Sequence, residues 1–430
     1  MTPAVEPLLS PLFDEDLASV RIGLLGLGNV GSAFARLACA ERERLRRLGI
    51  SPVLTTALVR STTRSRTAAD LVECVTSDPD RFFAQPLDVV VEVLGGIDAP
   101  STFVRRALDR AIPVVTANKS LIAADGHALG ELARRRRTPL RYEASCIAGV
   151  PFLGTFERRP LASRVRGVTA ILNGTSNRIV AGLERGASFD AALLDAQRLG
   201  LAEPDASADV SGRDAAEKLA LLIRQFGHLV VVPGDIDTRG IDAIGPLDLR
   251  AARALGGTLK PLACAKWSGT SVGAFVGPAF VSAAHPLARI DGATNGIVLD
   301  AIGGAQCFVG PGAGPDVTAA TLLDDVVEIV SERNARVRPP TPVREALPNP
   351  PSDAAWLLRI AGEPPHPETT ELLGTFGAWY SRVSRLEGRV YALTFPAPAS
   401  RIDAACLALR AATGYEVDAF PAIDVETLAC

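Results

Sequence analysis

Residues 21–34 read RIGLLGLGNVGSAF, and this stretch decides the fold. A short β-type run, Arg21–Leu25, meets glycines at Gly26, Gly28 and Gly31 in the spacing G-x-G-x-x-G, and a helical pattern follows from Val30. Gly26 permits the tight turn out of the strand. Gly28 lets backbone approach a pyrophosphate, and Gly31 lets the helix pack close to the sheet with its N-terminus toward the phosphates. The motif alone is weak, since a Gly-rich turn in another doubly wound sheet reads the same way. Its position between a strand and a helix supports a dinucleotide loop made by Gly26, Leu27, Gly28, Asn29, Val30 and Gly31.

Outward from the loop, β-type runs recur at Val53–Val59, Val89–Val93, Pro113–Thr116 and Leu140–Glu143, alternating with helical patterns at Val30–Leu48, Ala99–Arg110 and Ser120–Arg135. That alternation predicts an α/β Rossmann domain over residues 1–150, a parallel sheet with helices on both faces. Over residues 151–335 helices come first, at 174–185, 189–199 and 213–226, and strand-like runs follow at 258–266, 273–281, 296–301 and 305–309. This order predicts an α+β domain with a largely antiparallel sheet. Its last helix, about 316–332, is expected to pack back on the first domain. Prolines at 339, 340, 342, 348, 350 and 351 make 336–352 a linker without regular structure. Residues 353–430 read βαββαβ, a small ferredoxin-like domain.

Composition removes several classes. With 430 residues, 47% of them hydrophobic, the chain can fill two or three domains and is too apolar to be disordered. A net charge of −3 gives no basic field for nucleic acid or an anionic membrane. The one basic run, Arg134 to Arg137, ends a helical pattern, where cations suit the helix dipole. There is no 18-residue apolar stretch to span a membrane, and the acidic N-terminus is unlike a signal peptide. Seven scattered cysteines without a C-x-x-C pair favour reduced thiols in a cytoplasm over disulfides or structural zinc. Of 45 basic residues only four are lysines: Lys119, Lys218, Lys260 and Lys266. In so Arg-rich a chain, a lysine invites a chemical reason of its own.

Two of the four sit in informative places. Lys119, in VVTANKSLIA, follows the strand Pro113–Thr116 at the edge where doubly wound sheets bind ligands. Lys218 lies four residues after Asp214, on the same helix face and beside an apolar stripe, with Glu203, Asp205 and Asp209 upstream. Burial would lower its pKa and Asp214 would raise it. An ordinary surface ion pair gives the same spacing. At the end of the second strand stands Arg60, followed by Arg64 and Arg66, where an acid would mark a preference for NAD. A guanidinium there favours NADP through a 2′-phosphate.

The loop GLGNVGSAF, the strand VVVEVLGG, the TANK segment, EASCIAGVP, ILNGTSN, GLAEPDASADVSGRDAAEKLA, HPLA and VGPGAGPDVTAA follow one another in an order that resembles homoserine dehydrogenase over residues 20–334. The resemblance implies NAD(P)H-dependent reduction of L-aspartate 4-semialdehyde to L-homoserine. It implies an acid–base Lys218 with Asp214 as partner, and Lys119 at the nicotinamide and substrate. Glu203 and Asp209 would hold the substrate ammonium, with Gly174 and Thr175 bordering the pocket. Arg60, Thr116, Lys119, Gly200, Glu203 and Gly312 join the glycine loop as cofactor residues. The Glu143 side chain and the carbonyls of Cys146, Ala148 and Val150 would hold a monovalent cation, sodium. The family also implies a homodimer through the substrate domain.

There are departures. Gly200-Leu201 replaces the family's Gly-Tyr, removing a hydroxyl contact. The last 80 residues resemble the ACT regulatory domain in element order only. Their first strand-to-helix turn, Gly362 to Glu368, lacks the usual Asp-x-Pro-Gly pattern, which leaves an amino-acid effector such as threonine in question. With no kinase segment ahead of the glycine loop, a monofunctional form is expected. The rival readings are a non-catalytic NADP-binding sensor and a Rossmann dehydrogenase for a different amino-acid aldehyde.

Overall fold

The computed structural model describes residues 19–150, 152–157, 164–312, 314–332, 344–348, 353–362, 373–375 and 380–424. By internal contacts the chain forms two compact units, residues 1–148 with 314–340, and residues 149–313 with 341–430.

The first unit is built on six parallel strands: β1 (Ser19–Leu25), β2 (Ser51–Leu58), β3 (Cys74–Thr76), β4 (Val89–Glu92), β5 (Val114–Thr116) and β6 (Leu140–Arg141). Their spatial order is β3-β2-β1-β4-β5-β6, the doubly wound order that reverses direction between β1 and β4. Both faces of this sheet are covered, so its strands are apolar on both sides. Ile22, Leu24, Val89 and Val91 enter one core, while Leu25, Leu58 and Val90 enter the other. The first core is closed by the helix Pro315–Glu332, whose Ala319, Leu322, Leu323, Val326 and Ile329 pack there with Phe34 and Ala38 of the helix Asn29–Ala40.

Three expectations for this unit change. The strand β3 was not anticipated, because three residues are too few to show a period. The helix expected over Val30–Leu48 is two, Asn29–Ala40 and Arg42–Arg47, separated at Glu41, whose backbone (φ −90°, ψ 11°) leaves the α region. The run Leu140–Glu143 is strand only through Arg141, and Glu143 opens a short helix to Cys146. The arginine run behaves as expected, with Arg134, Arg135 and Arg136 in the last turn of the helix Lys119–Arg136.

The second unit centres on an antiparallel sheet of Gly304–Pro311, Thr294–Ala301, Val165–Ile171, Gly257–Ser268 and Ser271–Ser282, in that spatial order. The central strand Val165–Ile171 was missed in the sequence, where only helices were read before residue 258. The helices Gly174–Glu184, Phe189–Arg198 and Arg213–Leu222 lie close to the expected bounds. One π-type turn, Ile223–Gly227, extends the last of them.

The proline-rich stretch is less irregular than its composition suggests. Among its described residues Arg344 pairs with Leu229 and Leu347 with Ser271, because these positions lie between prolines and keep their backbone N–H groups. Beyond it, the strands Ala355–Ile360, Tyr380–Leu386, Arg389–Thr394 and Val417–Ile423 pair antiparallel, in spatial order second, third, first, fourth. The fourth then pairs with Ser271–Ser282, Phe280 opposite Ala422 and Val281 opposite Ile423, so the sheet of the second unit continues into the C-terminal region. Leu357, Tyr391, Leu393 and Phe420 share one core with Ile179, Val180 and Leu183 of the helix Gly174–Glu184. The helix expected over Thr369–Phe376 lies mostly outside the described residues.

Candidate active site

In the first unit the glycine loop has the shape its sequence requires. Gly26 has φ +109°, and a Cβ there would come to 2.9 Å from the Val93 carbonyl oxygen. At Gly31 a Cβ would lie 2.3 Å from the Gly26 carbonyl oxygen. At Gly28 it would meet no atom within 4 Å. Gly28 also precedes a helix that has no side-chain cap, so the first N–H groups of Asn29–Ala40 keep donors for an anion. Open space above a glycine at an uncapped helix start fits a dinucleotide pyrophosphate. Gly28→Ala is therefore expected to melt within about 1 kcal/mol of the native chain and to bind the dinucleotide more weakly. Gly31→Ala is expected to lose stability, since the Gly26 backbone and the Val93 side chain block the methyl. Thermal melting and coenzyme titration of both variants check the contrast.

Leu27 is buried beneath the loop, while Asn29 is exposed. Arg60 and Arg64 are exposed just beyond β2, and Arg66 is half-buried. At the ends of β4 and β5 lies a polar cluster that the sequence reading missed. Glu92 is fully buried, and it accepts from the Thr116 hydroxyl (2.6 Å) and the Leu94 N–H (2.8 Å). Burial pushes its carboxyl above the usual carboxylate range. The Asn118 side chain donates to the Gly96 carbonyl (2.8 Å) and accepts from the Leu121 N–H (3.0 Å), capping the helix that begins at Lys119. The Thr116 hydroxyl thus serves Glu92, and the segment carrying Lys119 is tied at both ends. Glu143, Cys146 and Ala148 belong to this unit, with Val150 at the start of the other. Burial pushes the Asp325 carboxyl well above the usual carboxylate range, and the nearby Glu143 raises it further. Among the described residues no cluster of three or more His, Cys, Asp or Glu suits a metal.

In the second unit the acids and the lysine converge. The Lys218 ammonium donates to the Leu172 carbonyl (2.8 Å) and pairs with Asp214 Oδ2 (2.9 Å). Asp214 is 4% exposed, which separates this pair from a solvated surface bridge. The Asn173 amide donates to Asp209 Oδ1 and Asp214 Oδ2, each at 2.7 Å. Gly174 follows where no side chain fits, since a Cβ would lie 2.6 Å from the Ala293 carbonyl oxygen. The Thr175 hydroxyl donates to the Leu201 carbonyl (2.7 Å) and so pins the loop that carries Glu203. Glu203 is exposed, and Gln197 holds its backbone carbonyl at 3.3 Å. Gly200 is exposed with φ +70°. The Gly312 N–H donates to Ala293, and Asn295 reaches both the Leu172 carbonyl (3.3 Å) and the Gly312 carbonyl (3.5 Å).

The structure therefore joins Lys218, Asp214 and Asp209, and leaves Glu203 outside that network among the described residues. The sequence reading missed Asn173. Its signal was the cap position, an Asn directly before a helical pattern. Lys260, left without a role above, is 2% exposed and donates to the Ile290 carbonyl (2.9 Å), so it braces the turn before Ala293. Lys266 is exposed on its strand.

Comparison with known proteins agrees with this arrangement. The family profile described as homoserine dehydrogenase matches residues 151–327, and the one described as its NAD-binding domain matches residues 26–143. A homoserine dehydrogenase from Mycobacterium tuberculosis is 36% identical over 327 residues, covering 74% of each chain. The crystal structure of one from Thiobacillus denitrificans superposes with a TM-score of 0.85 at 29% identity, covering 95% of this chain and 99% of that one. A hyperthermophilic archaeal homoserine dehydrogenase in complex with NADPH shares the fold, with a TM-score of 0.60 at 22% identity, over 73% of this chain and 98% of its own. With a buried lysine–aspartate pair in one unit, a dinucleotide loop in the other and relatives of this kind over most of its length, the chain belongs to the homoserine dehydrogenase family, the NAD(P)-dependent oxidoreductases that act on a CH–OH group.

Proposed function

We propose that Lys218 is the acid–base group in the reversible reduction of L-aspartate 4-semialdehyde to L-homoserine. The observation that carries this reading is the placement of its ammonium between a buried carboxylate and a backbone carbonyl. When bound, the nicotinamide supplies or receives the hydride. As the aldehyde oxygen gains negative charge, the Lys218 ammonium stabilises it and delivers a proton. In the opposite direction neutral Lys218 takes the hydroxyl proton of homoserine, and Asp214 steadies the charge that results. Asp209 and Glu203 hold the substrate ammonium, Gly174 and Thr175 border the substrate, and Lys119 keeps the role the resemblance gives it.

The backbone from Gly26 to Gly31 would cradle the pyrophosphate, which the open side of Gly28 supports. Arg60, exposed at the end of β2, favours NADP through the 2′-phosphate. On the resemblance alone, the Glu143 side chain and the carbonyls of Cys146, Ala148 and Val150 would hold sodium, a hard ion that suits oxygen donors. For the C-terminal region, the antiparallel strand order described above supports a ferredoxin-like, ACT-like reading, with assembly or an amino-acid effector as its role. A homodimer remains part of the proposal on the resemblance alone.

The test is oxidation of L-homoserine with NADP and with NAD, in sodium and in potassium. Turnover with NADP at a kcat/KM well above that with NAD is the expected result. Arg60→Ala should lower kcat/KM for NADP roughly 10- to 100-fold and leave NAD nearly unchanged. A clear preference for NAD in the native enzyme would overturn the Arg60 assignment, and no turnover with homoserine would overturn the whole reading.

A further inference from the structure

We infer that Asn173 is a positioning residue, whose one amide nitrogen ties the Asp209 and Asp214 carboxylates together and fixes the pair against Lys218. The inference rests on the reading of Lys218 as the acid–base group. A carboxamide has two N–H bonds, and here both are used, to Asp209 Oδ1 and Asp214 Oδ2 at 2.7 Å each. The same Asp214 Oδ2 receives the Lys218 ammonium at 2.9 Å. The other end of the amide is engaged as well, with Asn173 Oδ1 accepting from the Ser176 N–H at 2.7 Å and capping the helix Gly174–Glu184. The Ser176 hydroxyl lies 3.0 Å from that oxygen and 2.8 Å from the Asp209 carbonyl oxygen, and can donate to one at a time.

These contacts fix the orientation of the amide. Flipped, it would set an oxygen against two carboxylates and an NH2 against a backbone N–H. Two carboxylates that share one donor repel each other once it is removed, so they separate or one takes up a proton. Either change moves the acceptor on which Lys218 rests and the acid assigned to the substrate ammonium. The charges facing Lys218 include Asp214, its ion-pair partner on the same helix, and Asp209, which Asn173 links to Asp214.

The capping oxygen and the bridging nitrogen can be separated by substitution. Asn173→Ser keeps a capping oxygen and removes the bridge. Asn173→Asp keeps the cap and the shape, and turns the donor into a third acceptor. Each is assayed for homoserine oxidation across pH, with thermal melting alongside. Asn173→Ser should melt near the native temperature and lose roughly 10- to 100-fold in kcat/KM. In Asn173→Asp the rising limb of kcat/KM should move to higher pH, because added negative charge favours the protonated lysine. A purely structural residue would leave that limb in place. Native kcat/KM in Asn173→Ser, or its failure to fold, would overturn the inference, and so would an unmoved limb in a folded Asn173→Asp. Lys218→Arg is run in parallel. If it retains turnover, the acid–base reading falls and this inference with it. If it loses turnover while the Asn173 variants behave as native, this inference alone falls.

Discussion

Lys218→Arg should fold like the native chain and lose on the order of a thousand-fold in turnover. Arginine keeps the positive charge beside Asp214, so the buried carboxylate stays paired and the helix Arg213–Leu222 stays in place. The missing property is proton exchange, since a guanidinium does not give up its proton near neutral pH. In homoserine oxidation no base remains, and in semialdehyde reduction the new alkoxide finds charge without a proton. The equilibrium constant fixes the ratio of the two directions, so kcat/KM must fall equally in both. Initial rates in each direction, beside circular dichroism and melting, make the test. Turnover within tenfold of native in a folded variant would contradict the acid–base role.

The largest expected effect on stability belongs to Asp248, far along the chain from that chemistry. It is 1% exposed, on the helix Pro246–Ala254. Its carboxylate accepts from the Gly245 N–H, the Arg359 guanidinium and the Tyr391 hydroxyl, each at 2.8 Å. Burial and that neighbouring carboxylate raise the pKa of the Tyr391 hydroxyl, so it stays a donor. Asp248→Ala would leave a fully buried tyrosine hydroxyl without its acceptor. Arg359 would keep Asp418 (2.7 Å) and the Ala243 carbonyl (2.9 Å) and lose its most buried contact. Removing one partner from a buried charged network costs about 3–5 kcal/mol. Urea unfolding of the full chain should show a loss of that order. A loss under about 1 kcal/mol would mean that Arg359 and Tyr391 find other partners. Tyr391→Phe, alone and combined with Asp248→Ala, separates the hydroxyl's share.

The two sites differed in how much the sequence revealed. The glycine loop was legible because each glycine answers a local steric demand, and the helix and strand periods around it span enough residues to be counted. The pair of Asp214 and Lys218 was legible as a spacing. Its burial was not, because the pair's partners, the Leu172 carbonyl and the Asn173 amide, lie on other elements. Glu92 stands within the apolar run Val89–Val93, and only the return of Thr116 beside it makes it the acceptor of a buried network. Lys260 had no partner within reach in sequence, since Ile290 arrives 30 residues later. The proline-rich stretch misled for a related reason. Proline content reports local stiffness, while pairing at Arg344 and Leu347 depends on strands more than 70 residues away.

The helix Pro315–Glu332 also bears on how the chain is made. It completes the nucleotide-binding core through Leu322, Val326 and Ile329, yet it lies more than 160 residues beyond the rest of that unit. A ribosome that has released residues 19–148 has delivered every strand of the first sheet with one face only partly covered, by the helix Asn29–Ala40. Val115 of β5 and the outer side of the helix Asn29–Ala40 then wait for a helix that emerges only after most of the second unit. At roughly 5–20 residues per second the wait is about 10–40 s. Over that interval the growing chain carries an exposed apolar face, the kind of surface a chaperone binds. The order of synthesis therefore makes the first unit in sequence one of the last to finish folding.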